Sequence, residues 1–193
     1  MTEPADTSKN TWTDGGPTPG GPQDKSFAYR QSRKAFIALC EKAGADVIGR
    51  VHPLRGPDGG PLFLDAAAFG PRLAKAGLLV VAHGVPGAAI LMALLADKVP
   101  ARLPQGVRLV LVHGAEPAVF AFNDPARADP AWAAGMLAAV VAEDFRKAER
   151  LMVVGLGGPA DFADPPGLAV TRTPMTPGGA AKGMVERLLA AQG

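Results

Sequence analysis

Leu78-Leu79-Val80-Val81-Ala82-His83-Gly84-Val85-Pro86-Gly87 is a short, wholly apolar run that ends in a glycine-rich turn. Unbroken apolar runs of this length are the pattern of parallel strands buried on both faces. Ala88 to Lys98 then reads as helix, and Val107 to His113 as a second buried strand. Pro130 to Arg146 reads as another helix, with Asp129 as its cap and Pro130 at its first position. Leu151 to Val154 supplies a third strand and Leu168 to Thr171 a fourth, and Gly179 to Ala191 closes the chain as an amphipathic helix.

Upstream, Ser26 reads as the N-cap of a helix running to about Ala43, with Gly44 as its C-cap. Asp46 to Pro53 and Pro61 to Phe69 are strand-like and flank Arg55-Gly56-Pro57-Asp58-Gly59-Gly60, a hairpin signal. A hairpin edge feeding alternating strands and helices predicts an α/β fold: a three-layer, open, mixed β-sheet with flanking helices. Residues 1–25 are rich in Gly, Pro, Thr and Asp, and are expected to be a disordered tail with one aromatic, Trp12. Residues 26–193 are then expected to form one domain.

The composition fits that size. Of 193 residues, 48% are hydrophobic and 20% charged, and the net charge is +2, too small to suggest a nucleic-acid partner. No apolar stretch reaches the length of a membrane span, and the N-terminus lacks signal-peptide order, so a cytoplasmic protein without a membrane partner is expected. The single cysteine, Cys40, excludes an internal disulfide; among Phe36, Ile37, Leu39 and Ala43 it reads as a buried small hydrophobe.

In open α/β sheets, ligands bind at the carboxyl ends of the strands. Those ends supply His83, Gly84 and Pro86, then His113 and Glu116, then Gly155 and Gly157 as cleft candidates. The only serines, Ser8, Ser26 and Ser32, precede the first strand, so a nucleophile elbow is excluded. Gly155-Leu156-Gly157-Gly158-Pro159-Ala160 matches a dinucleotide fingerprint in letters, but Pro159, Pro165 and Pro166 leave no room for the helix that would meet a pyrophosphate. It reads as a structural turn. No Gly-Lys-Ser/Thr follows a strand, so a P-loop is absent as well.

Three groups of residues carry a family resemblance. They are Arg50-Val51-His52-Pro53-Leu54-Arg55-Gly56-Pro57-Asp58-Gly59, the strand and turn from Leu78 to Gly87, and Leu103-Pro104-Gln105-Gly106-Val107 through Leu111-Val112-His113 to Glu116-Pro117. From about Tyr29 to Phe122 the chain resembles an uncharacterised bacterial branch of the zinc carboxypeptidases. The resemblance implies a zinc held by His-x-x-Glu and a distant His, an arginine for the substrate carboxylate, and a glutamate that activates water. His83 matches the first ligand. Pro86 stands at the position of the second and Val153 at that of the third, and neither offers a donor atom. Asn123-Asp124-Pro125-Ala126-Arg127 replaces the segment that carries the arginine, and no role passes to Arg127. Val170-Thr171-Arg172-Thr173 contains no acid where the glutamate belongs.

The expectation is therefore a shortened, degenerate relative with no metal or other cofactor. It would be a non-catalytic binding or assembly protein whose partner is an unidentified protein or small ligand. The alternative is a hydrolase with an altered site, metallopeptidase- or amidohydrolase-like, built on His83, Glu116 and Asp124, with zinc if a metal is retained. A site made by His52, His83 and His113 has no support from their spacing.

Overall fold

The computed structural model describes residues 22–175, which form a six-stranded mixed sheet between two layers of helix. The elements follow in the order α1 (Pro22–Lys42), β1 (Asp46–Arg55), β2 (Pro61–Phe69), β3 (Ala76–Ala82), α2 (Gly84–Ala96), β4 (Val107–His113), α3 (Pro117–Phe122), α4 (Pro130–Asp144), β5 (Arg150–Leu156) and β6 (Ala169–Met175). The strand order is β1-β2-β4-β3-β5-β6. The β1–β2 hairpin joins the rest through an antiparallel pairing of β2 with β4, whereas β4, β3, β5 and β6 run parallel.

The apolar runs became strands because both of their faces are covered. Every residue of β3 and β4 is buried. One face packs Leu78, Val80, Leu109 and Leu111 against Phe36 and Cys40 of α1 and Leu91, Leu94 and Leu95 of α2. The other packs Leu79, Val81, Val110 and Val153 against Leu137, Val140 and Val141 of α4. A smaller cluster of Tyr29, Leu62, Ala88, Ala118 and Phe120 seats α3 between α1 and α2. Among the described residues no helix is long and apolar enough to cross a membrane.

The chain departs from its sequence expectations in several places, and some are shifted ends: β1 runs on to Arg55, β3 starts at Ala76, α2 ends at Ala96, α4 ends at Asp144 and β5 spans Arg150–Leu156. Helix α1 starts at Pro22, so Ser26 lies inside it and is not its N-cap, and the expected tail boundary at residue 25 falls within the helix. Proline suits a first helical position, where its missing N–H is not needed, and that preference outweighed the loop-like composition around it. Gly84 to Gly87 is not a free turn but the first turn of α2. Pro86 is tolerated there because first-turn N–H groups have no intrahelical acceptor to lose. The short helix α3 was missed, since six residues are too few to show periodicity. Strand β6 starts one residue later and runs four residues further than the Leu168 to Thr171 run. Trp12 and the helix expected over residues 179–191 lie outside the described residues.

Candidate functional site

The connection after β3 returns on one side to β4, whereas that after β5 leads away to β6. Doubly wound sheets open a crevice at such a reversal, here between the ends of β3 and β5. His83 stands at its centre, as the residue preceding the first turn of α2.

The crevice is filled by backbone. The His83 amide donates to the Leu156 carbonyl at 2.9 Å, and the Gly87 amide donates to the His83 carbonyl at 3.2 Å. A side-chain carbon at Gly87 would lie 2.3 Å from the Leu156 oxygen, and one at Gly157 would lie 2.9 Å from the His83 oxygen. At Gly158 it would reach 2.9 Å from His83 Cγ, and at Gly155 2.2 Å from the Gly158 oxygen. Gly87, Gly157 and Gly158 thus let the β3–α2 junction and the turn after β5 interlock, and Gly155 lets that turn close on itself. Gly84 and Gly157 also adopt φ of +57° and +76°, open to glycine but strained for other residues.

Beneath this lock, His83 Nε2 is buried and has no hydrogen-bond partner among the described residues. Burial lowers the His83 pKa, and the charge of Asp161 opposes that shift. Asp161, in the loop after β5, is thus a carboxylate whose charge acts on His83. The sequence expectation named Glu116 and Asp124 for that role. Asp124 is committed elsewhere, accepting from the Ala126 amide at 3.0 Å and facing Arg127, whose guanidinium lies over the Phe122 ring. Glu116 precedes α3, and its pKa is raised by burial and by Asp129. Asp161 lies six residues beyond Gly155, outside any motif of the sequence, so no local pattern marked it.

The other histidines have separate surroundings. His113 is fully buried beneath α1, stacked on Phe36 with ring centroids 5.3 Å apart. Its Nε2 lies 2.9 Å from Ser32 Oγ, its Nδ1 has no partner, and burial with the Arg33 charge pushes its pKa down to about 4. The same side of α1 carries a buried ion pair, Arg33 Nε and Nη2 donating to both oxygens of Asp65. His52 packs edge-on against Trp132 of α4 at 4.4 Å and accepts from the Leu54 amide at Nδ1. Asp129, which caps α4 by accepting from the Trp132 amide at 3.0 Å, also acts on His52.

Of the three ligand positions implied by the resemblance, only His83 offers a donor atom. Pro86 faces solvent, and Val153 is a mid-strand residue only 1% exposed in the α4-side core. Among the described residues, no three His, Cys, Asp or Glu side chains converge on one point.

The family model described as "Protein of unknown function (DUF2817)" matches residues 26–130. No curated protein matches the chain. Among solved structures, it resembles a Porphyromonas gingivalis glutaminyl cyclase at 11% identity and a TM-score of 0.39, covering 72% of this chain and 62% of that one. A Zn-dependent exopeptidase from Parabacteroides distasonis is similar at 13% identity and 0.42, with 72% and 60% covered. A Tannerella forsythia glutaminyl cyclase is similar at 13% and 0.43, with 88% and 79% covered. The chain thus spans about three fifths of the length of the first two. At these identities the likeness has no bearing on chemistry.

Proposed function

Because this chain belongs to the DUF2817 family of proteins of unknown function, we propose that it is a non-catalytic member, keeping an α/β scaffold related to zinc peptidases for binding or assembly. The observation that carries this reading is the closure of the β3–β5 crevice. The Gly157–Gly158 turn packs against His83, and on this reading that packing leaves no room there for a metal and a scissile bond. Two of the three ligand positions implied by the carboxypeptidase resemblance hold proline and valine, and a catalytic zinc is normally held by three protein ligands with one position open. No cofactor is part of this reading, and the ligand or partner is a protein or small molecule, not nucleic acid or a membrane.

A second reading, a metal-free hydrolase, draws on one observation. His83 has an unpartnered Nε2, a lowered pKa, and Asp161 close enough to act on it, which are attributes of a general base. The two readings separate in one assay. Peptide, N-acyl amino acid and ester substrates are incubated with the wild type and with His83→Ala, with and without added Zn²⁺. The non-catalytic reading expects no hydrolysis above buffer in any arm; turnover that His83→Ala abolishes would overturn it.

A further inference from the structure

At the opposite end of the sheet from His83, by strand rise about 20 Å away, lies a groove of about 780 Å³. The end of α1, the start of β1, the end of β2, the start of β4 and the end of α2 all contribute to it. It is rich in charge. Lys42, Arg50, Arg72, Lys98 and Arg108 line it, against two carboxylates, Asp46 and Asp144.

These cations divide into two kinds. Arg108 is 7% exposed, donates to the Gly70 carbonyl at 2.7 Å and pairs with Asp144, yet its Nε has no acceptor. Arg50 pairs with Glu143, and its buried Nη1 is likewise without an acceptor. Buried guanidinium N–H groups left unpaired are costly, and the described residues supply no acceptor for these two. Lys42, Arg72 and Lys98 are exposed and form no ion pair with any described residue. Leu39, Phe69 and Leu95 add apolar surface to the groove lining.

We propose that this groove binds a small organic anion, a phosphate or carboxylate head carried on an apolar body. The head would be held by Lys42, Arg72 and Lys98 and drawn toward Arg50 and Arg108; the body would lie on Phe69 and Leu95. Several cations and an apolar surface lining one groove are what such a ligand requires. This assignment does not depend on the state of the His83 crevice, which is at the other end of the strands.

The test uses hexyl phosphate and hexanoate as probes and hexanol as the neutral control. Each is titrated into the full chain by calorimetry and followed by backbone amide NMR. At least one anion should bind saturably with one site per chain, weaken as NaCl is raised, and shift amides of residues 42–50, 69–72 and 98–108. Hexanol should not saturate. Phosphate and carboxylate heads are told apart by which anion binds. Arg72→Glu/Lys98→Glu, at exposed positions, and Lys42→Glu separately should each weaken binding, the double variant roughly tenfold or more, whereas His83→Ala should leave it unchanged. No saturable binding of either anion, equal affinity in the charge-reversed variants, or shifts centred on residues 83–87 and 155–158 would each overturn the proposal.

Discussion

Gly158 presses its backbone against the ring of His83, so closely that a methyl group there would stand 2.9 Å from His83 Cγ and 3.3 Å from Cδ2. Gly158→Ala should therefore force the ring or the turn to move, costing about 1–3 kcal/mol of stability as an overpacking change. His83→Ala in the same chain removes both of those ring contacts and should recover part of that cost. Denaturant unfolding of the two single variants and the double variant measures the coupling. Strictly additive effects would show that the turn does not rest on the histidine.

Much of this architecture was legible before any coordinates. Val80, Val81, Leu109, Leu111 and Val153 were expected as buried strand residues, and all five are. Unbroken apolar runs report burial on both faces directly, and the Asp58-Gly59 turn reports the hairpin. Asp129 was legible as a cap for the same local reason. What escaped was made by distant contacts. The charge of Asp161 acts on His83 across separate segments of the chain, and His52 meets Trp132 across the gap between β1 and α4. The role of Pro86 within the first turn of α2 was hidden because proline signals a turn and a first helical turn equally well.

His113 gives the fold an acid sensitivity of known sign. Its folded pKa, about 4, lies below its ordinary value of 6.5. The unfolded chain therefore takes up this proton first, and stability falls as pH drops from 6.5 toward 4; above 6.5 the group contributes nothing. The full effect is on the order of 3 kcal/mol. Unfolding free energies across this window should decline less steeply in His113→Gln, which retains a polar contact for Ser32. An unchanged slope would remove His113 from the account.

Arg33 and Asp65 form a pair in which each needs the other. Burial raises the Asp65 pKa, and the Arg33 guanidinium opposes that shift. Arg33→Met strands a buried carboxylate and should cost about 3–5 kcal/mol. Adding Asp65→Asn should restore a large part of that loss. If both variants unfold at the same denaturant concentration, the charge of Asp65 is not the source of the cost.

Cys40 is fully buried between α1 and the sheet, and burial raises its thiol pKa to about 12. The native protein should resist iodoacetamide for hours and react at once in guanidinium chloride, since the thiolate is the reactive form. Rapid alkylation of the folded chain would mean that α1 opens readily from the sheet.

The closed crevice over His83 is tested most directly by zinc content. Untagged protein, grown with zinc and dialysed against a mild chelator, is analysed for metal alongside His83→Ala. One imidazole beside Pro86 and Val153 cannot hold the ion against water and buffer, so both proteins should carry well under one zinc per chain. One zinc per chain in the wild type, surviving the chelator and lost in His83→Ala, would contradict the account.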